Sequence, residues 1–253
     1  MSTEAYVRYE KIAGITTITF YHPSQNSLPS DTLEQLKNAI ITAGKDPETI
    51  LIVLKSGGDR TFCAGASFNE LSSIRDFSQG KKFFMGFANV INAIRSCGKI
   101  VIGRVQGKAV GGGVGLAAAC DYCMATKYAS VRLSELAAGI GPFVIGPAVE
   151  RKIGLSGFSQ MALNATEWQT ADWAKSKGLF TEVFDTVEQL DAYISHFTDI
   201  LVKSNPEALA LMKKVFWDGT DHWPSLLEER AEMSGRLILS DFSRQAIMTF
   251  LAK

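Results

Sequence analysis

The groups in this chain that could do chemistry start with backbone amides presented by loops of small residues, beside which some acid or base must work. The stretch "GKAVGGGVGLAAACD" at 107–121 places five glycines within nine residues, ahead of an apolar run with helical potential. Glycine is a poor neighbour for a helix, so something must come close to the backbone there. The first N–H groups of such a helix are unpaired and lie at the positive end of its dipole, which suits a developing oxyanion as well as a phosphate. Tight packing of helix against strand would ask for the same glycines. A dinucleotide fingerprint is excluded, because the third glycine position holds Leu116 counted from Gly111 and Ala118 counted from Gly113. A P-loop is excluded as well, since no Lys-Ser or Lys-Thr follows at the required spacing.

A second loop of small residues, "TFCAGASF" at 61–68, also follows an apolar strand-like run. The two loops could each aim one N–H at a single carbonyl oxygen. Among the acids, Glu135 in "SVRLSEL" follows a strand turn and by itself reads as a capping or surface acid more readily than as a catalytic one. Glu70 and Asp76 follow the first loop, and Asp121 reads as structural. Hydrolysis by a Ser-His-Asp set is set aside, because His22, His196 and His222 are the only histidines and no G-x-S-x-G elbow is present. Cys63, Cys97, Cys120 and Cys123 include one C-x-x-C, "CDYC", with no second pair and no nearby histidine. Core cysteines are therefore expected rather than a zinc or redox site.

The elements that must position these groups follow from periodicity. Residues 5–21 alternate apolar and polar around Ala13-Gly14 and predict a hairpin. A loop at 22–30 precedes a helix over 31–43, a buried strand over 50–56 and a helix over 80–96. "KIVIGRVQG" is the next buried strand, and "DYCMATKYASVRLSEL" reads as two short strands around a turn. From 146 onward the pattern is helical, interrupted by the strand-like "LFTEVFD". The layout is α/β. The last segment, 196–253, carries more apolar residues than a small helical layer can bury on itself, Leu209, Met212, Val215, Phe216, Leu227 and Phe250 among them. It must fold over the core or pack against another subunit.

Lys plus Arg and Asp plus Glu number 26 each, so the net charge is zero and a broad grip on nucleic acid or an acidic membrane is not expected. No apolar run is long enough to span a bilayer, and the first residues enter an alternating pattern with no signal core, so a cytoplasmic protein is expected.

Five segments, in order, resemble the crotonase (enoyl-CoA hydratase/isomerase) superfamily. "FCAGASF" and "VQGKAVGGGVGLAAACD" resemble its two signature segments, and "HPSQNSL" resembles its P-x-x-x-N-A-L loop. "TADWAKSKGLFTEVF" and "LSDFSRQAIMTFLAK" resemble its A-x-x-x-G-L-V segment and its closing helix, so the likeness runs through essentially the whole chain. It implies a spiral of ββα repeats over 1–195 and a helical oligomerisation region over 196–253, assembled as a trimer or a dimer of trimers. It implies an acyl-CoA thioester substrate, with no cofactor beyond the CoA moiety and no metal. The family's oxyanion hole falls on the N–H groups of Ala66 and Gly112, and its CoA contacts fall on Gln25, Ser27, Ala64, Ser67 and Phe68. Ser67 stands where an Asp is common.

The resemblance also shows what is missing. Two-glutamate hydratases carry one acid at the position of Gly115 and the other at the position of Glu135, so here only Glu135 is retained. Adding water across C=C calls for one group to activate water and another to protonate carbon. A single carboxylate suits moving one proton between two carbons, as in isomerisation of a 3-enoyl to a 2-enoyl thioester. The expected activity is therefore enoyl-CoA isomerisation or single-acid enoyl-CoA hydration, which the sequence does not separate; decarboxylation and acyl-CoA binding without catalysis are the alternatives, and some similar bacterial members are methylglutaconyl-CoA hydratase-like. The family's usual P-G-x-G-G reads "GIGPFVIGP" here, so Phe143, Val144 and Ile145 bulk out one wall of the pocket, and Phe83, Phe84, Met85 and Phe87 of the 80–96 helix could form the other.

Overall fold

The computed structural model describes residues 4–251. The opening segment is an antiparallel hairpin, β1 (Tyr6–Ile12) and β2 (Ile15–Tyr21), in register from Tyr6 opposite Tyr21 to Ile12 opposite Ile15. Its two-residue turn takes positive φ at both positions, 50° at Ala13 and 83° at Gly14, which matches the twist of the strands it joins. β3 (Ser27–Leu28) and α1 (Ser30–Lys45) follow, and α1 buries Leu33, Leu36 and Ile40 at helical spacing.

One pattern then recurs: a strand for a large sheet, a strand for a small sheet, a helix. The first turn is β4 (Leu51–Ser56), β5 (Thr61–Cys63) with the short β6 (Gly65–Ala66), then α2 (Phe68–Ser73) and α3 (Phe77–Ser96). The second is β7 (Ile100–Val105), β8 (Lys108–Val110) and α4 (Gly112–Ala119). The third is β9 (Tyr122–Thr126), β10 (Ser130–Arg132), a 3-10 turn at Leu136–Ala138 and α5 (Gly146–Leu163). After these come β11 (Gln169–Thr170), α6 (Ala171–Ser176), β12 (Glu182–Phe184), α7 (Val187–Leu201), α8 (Pro206–Phe216), α9 (Trp223–Leu237) and α10 (Asp241–Leu251).

Each turn lays its strands parallel to those of the turn before. The large sheet runs β1-β2-β4-β7-β9-β12, the small one β11-β10-β8-β5, and β3 pairs with β6. This is the ββα spiral expected of the chain. β4 and β7 are covered on both faces, which is why their apolar residues run consecutively, over 51–54 and 100–102, rather than alternating. The segment 121–136 does not form a paired unit: β9 joins the large sheet and β10 the small one. Each strand finds its hydrogen-bond partner in the preceding turn of the spiral, β9 on β7 and β10 on β8, so the two never face each other.

The tail folds over the core. α9 lies along α3, and Gly80 and Gly235 bring the two backbones together: a Cβ on Gly80 would sit 2.9 Å from the Gly235 carbonyl oxygen. Trp223, Leu227 and Ala231 of α9 join the same buried cluster as the sheets. α8 is pinned by a fully buried ion pair, Lys213 Nζ to Asp121 Oδ2 at 2.7 Å, where Asp121 also accepts from the Val101 N–H and the Trp217 indole. Asp121 is thus structural. α7 runs unbroken across 195–196, so a division drawn there cuts a helix, and α8 begins only at Pro206.

Candidate active site

The two small-residue loops meet. β6 carries Gly65 at φ +88°, and a Cβ there would lie 2.9 Å from the Val110 carbonyl oxygen and 3.6 Å from the Gly112 nitrogen. Only glycine permits that conformation and that approach together. Ala66 is consequently placed next to the start of α4. Gly112 is the first residue of α4, so its N–H has no partner one turn back, while Val114 and Gly115 donate to the Gly111 oxygen. On the other loop, the amides flanking this point are directed toward β3: Ala64 donates to Asn26 and Ser67 to Leu28.

Each glycine of 111–115 makes room for a different neighbour. Gly111, at φ +52°, donates its N–H to the Arg132 oxygen, and a Cβ there would lie 2.8 Å from Glu135 Oε1. A Cβ on Gly112 would lie 2.4 Å from the Phe87 ring, so packing as well as any ligand keeps that position small. One on Gly113 would lie 2.4 Å from the Cys63 carbonyl oxygen, and one on Gly115 would lie 2.5 Å from Ile145 Cγ2. The space in which an acid at 115 would start is filled by the Ile145 side chain.

A single cavity brings these groups together. Ala64, Ala66, Gly112 and Glu135 line it, with Phe68, Phe84 and Phe87 on one side. Ile140, Phe143, Val144 and Ile145 close the other. Among the described residues, Glu135 is the one ionisable side chain in the lining. Its backbone oxygen is held by the Ala138 and Ile140 amides at 3.0 Å each, which fixes the turn that aims it. Its Oε2 is buried without a hydrogen-bond partner, and loss of hydration pushes its pKa up to about 7. A carboxyl titrating near neutrality can both take and return a proton at physiological pH. Ser134 beside it and Ser234 of α9 are the other polar side chains in the lining.

The remaining expected residues fall around this cavity. Ser67 caps α2, its hydroxyl accepting from the Glu70 N–H. Ser27 donates its hydroxyl to the Ala66 oxygen at 2.9 Å. Gln25, at φ +57°, lies in an adjoining depression and accepts from the Thr61 hydroxyl at 3.0 Å. Glu70 and Asp76 are committed elsewhere: Glu70 receives the Ser30 N–H at the start of α1, and Asp76 caps α3. Phe83 and Met85 are not in the lining, whereas Phe84 and Phe87 are. Cys63 is fully buried behind the site, and burial pushes its thiol up to about 12, so it is no nucleophile. Cys120 and Cys123 are buried with both sulfurs against Gly103.

Sequence reasoning did not find the part played by Gly111, nor that of Ser134, Leu71 and Ser234 in the lining. Ser234 comes from a helix distant in sequence, and no local pattern marks it.

A family model described as enoyl-CoA hydratase/isomerase matches residues 10–253. The peroxisomal Delta(3,5)-Delta(2,4)-dienoyl-CoA isomerase of Arabidopsis thaliana is 27% identical over 275 residues, covering 100% of this chain and 97% of that protein. The short-chain-enoyl-CoA hydratase of Clostridium acetobutylicum is 27% identical, covering 96% and 94%. Among solved structures, an enoyl-CoA hydratase from Bacillus halodurans superposes with a TM-score of 0.89 at 21% identity, covering 96% of this chain and 99% of that one. One from Mycobacterium avium gives 0.84 at 27% identity, covering 97% and 96%. Among the described residues, no helix is long and apolar enough to cross a membrane.

Proposed function

The chain belongs to the enoyl-CoA hydratase/isomerase family, and from that premise we propose that it is an enoyl-CoA isomerase working with one acid. The observation that carries this reading is the pairing of Glu135 with Ile145. Glu135 is the one ionisable side chain lining the cavity among the described residues, and Ile145 fills the space at Gly115 where a second acid would begin. In the proposed reaction a 3-enoyl thioester lies with its carbonyl oxygen on the N–H groups of Ala66 and Gly112. The Glu135 carboxylate takes a proton from C2, and the electron pair moves to the thioester oxygen to give a dienolate. The same carboxyl then returns the proton to C4, the double bond settles between C2 and C3, and the enzyme is unchanged. Donors fixed where negative charge develops favour the dienolate over the ground-state carbonyl, and losing one typically costs about 3 kcal/mol of the barrier reduction. A pKa near 7 lets one group serve both half-steps.

Ala64 and Phe68, which line the cavity, and Gln25, Ser27 and Ser67 around it are the residues we place along the pantetheine and nucleotide of CoA. Exposed Met212, Val215 and Phe216 on α8, and Phe242 and Met248 on α10, support a homo-oligomer that covers them. Single-acid hydration is the second reading. It is favoured by Ser134, which lines the cavity beside Glu135 and could hold a water, and by the relatives named as hydratases.

The test is mass spectrometry of a panel of straight 3-enoyl, straight 2-enoyl and branched enoyl-CoA thioesters incubated with enzyme in heavy water. Deuterium incorporation with a moved double bond and no added water supports the one-acid isomerase. A mass gain of one water from a 2-enoyl thioester overturns it in favour of hydration.

A further inference from the structure

The turn that aims Glu135 is gripped from outside by the C-terminal helix. Gly139 closes that turn at φ +79° and ψ 13°, a left-handed conformation that favours glycine. α10 comes down directly on it. A Cβ on Gly139 would lie 2.7 Å from the Phe242 ring and 3.0 Å from the Ser243 Cα. The same glycine thus serves the backbone conformation and the close approach of a distant helix.

Ser243 is fully buried at this contact and donates its hydroxyl to the Gly139 oxygen at 3.1 Å, across 104 residues of chain. Ser240 prepares it. The Ser240 hydroxyl donates to Ser243 Oγ at 3.1 Å, and Ser240 Oγ accepts the Ser243 N–H at 3.2 Å, capping α10. Each hydroxyl has one hydrogen, so with the Ser240 hydrogen on Ser243 the Ser243 hydrogen goes to Gly139.

The peptide unit between Gly139 and Ile140 is therefore held at both ends. Its carbonyl accepts from Ser243, and its N–H, that of Ile140, donates to the Glu135 backbone oxygen at 3.0 Å. Successive bonds through one peptide polarise each other and fix its plane. The far part of α10 is anchored on the opposite wall: Ile247 is buried with Leu71 of α2, and Phe250 stacks on Phe68 at 4.0 Å between ring centres. α2 follows the loop that presents Ala66. One helix thus ties the acid side of the cavity to the donor side.

We propose that Ser243 is a positioning residue for Glu135, acting through the Gly139–Ile140 peptide so that α10 sets where the acid stands relative to Ala66 and Gly112. The inference rests on the reading of Glu135 as the acid/base group and adds to it a side chain outside the cavity lining. Without the Ser243 bond the peptide can rotate, the Ile140 N–H can leave the Glu135 oxygen, and the acid loses its fixed aim. A displacement of about 1 Å at a reacting group can cost on the order of 10²-fold in rate.

The experiment measures kcat and KM for wild type, Ser243→Ala, Ser243→Cys and Ser240→Ala on the enoyl-CoA thioester that wild type converts fastest. Amide hydrogen exchange over residues 136–140 is followed by mass spectrometry in the same proteins. Ser243→Ala should lower kcat by about ten- to a hundredfold with KM little changed, and should speed exchange over 136–140. Ser243→Cys, a weaker donor of similar size, should fall between Ser243→Ala and wild type in both readouts. Ser240→Ala loses the cap but keeps the bond to Gly139, so it should melt at a lower temperature with kcat near that of wild type. A kcat in Ser243→Ala no lower than in Ser240→Ala overturns the positioning role and leaves that of Glu135 standing. If wild type converts no thioester, the reaction reading fails and exchange alone decides: unchanged protection over 136–140 in Ser243→Ala overturns the inference. Should Ser243→Ala not fold, Ser243→Cys takes its place, and wild-type values of both kcat and exchange in that variant overturn it.

Discussion

Glu135 holds its carboxyl in the space that a side chain on Gly111 would occupy, with Oε1 2.8 Å from the missing Cβ. The same glycine sits at φ +52° and ψ −116°, a conformation closed to other L residues. Gly111→Ala should therefore strike twice, adding backbone strain of about 1–3 kcal/mol and pushing the carboxyl out of position. The expected outcome is a folded protein with a lowered melting point and at least a hundredfold loss in kcat, on the scale of general acid–base catalysis. Melting curves and turnover on a confirmed enoyl-CoA would check it.

Removal of the acid should cost more in rate than in fold. Glu135→Gln is expected to lower kcat by about 10²–10⁴-fold with KM little changed. Full turnover in that variant would sink the role assigned to Glu135.

Burial without a partner also fixes two pH dependences. Turnover should rise with pH through about 7 as Glu135 loses its proton and becomes the base. Stability should move the other way. The folded-state pKa is raised above the ordinary 4.5, so between 4.5 and about 7 the folded chain binds this proton more tightly than the unfolded chain does. That contribution is full below 4.5 and is lost as pH rises through about 7. Glu135→Gln should thus be more stable than wild type at pH 8, by up to about 3 kcal/mol, with the difference closing at acid pH. Denaturant midpoints at several pH values would check it.

Ile145 blocks the second acid, so the reaction type should respond to the pair and not to either position alone. Gly115→Glu by itself overpacks a fully buried helix against Ile145 and is expected to lose at least about 1–3 kcal/mol without gaining hydration. Gly115→Glu combined with Ile145→Ala should recover part of that stability and add water to a 2-enoyl-CoA. The readout is a product heavier by one water.

The Asp121–Lys213 pair ties α8 to the spiral from a dry environment, at 1% and 2% side-chain exposure. Lys213→Ala leaves Asp121 a buried charge with only the Trp217 indole and the Val101 N–H as donors. A loss of about 3–5 kcal/mol is expected, measurable as a shifted denaturant midpoint with kcat unchanged in the fraction that stays folded.

How much of this was legible in the sequence depended on whether the signal was local. The hairpin, β4, β7 and α1 could be read because their periodicity is set by their own burial. The two short strands of 121–136 could be read from their pattern, but not their partners, because each strand's partner lies one spiral turn away. Glu135 and the loops at 64–68 and 111–115 could be singled out because residue types and spacing mark them. What those glycines accommodate could not be read, since Phe87, Cys63, Ile145 and Glu135 reach them from four separate segments. Ser67 shows the opposite limit: it lies inside a marked motif, yet its hydroxyl serves as a helix cap.

The run of glycines at 111–115 therefore behaves as several independent loci written side by side. A carboxyl, an aromatic ring, a peptide oxygen and a branched aliphatic chain each lean on one of them. Identical alanine scars introduced one at a time along this run would produce unlike phenotypes: a dead enzyme at 111, a reshaped acyl preference at 112, a folding defect at 113 and a displaced pocket wall at 115. Tolerance to substitution in such a loop is a property of each position's visitor, and an averaged score for the motif would conceal it.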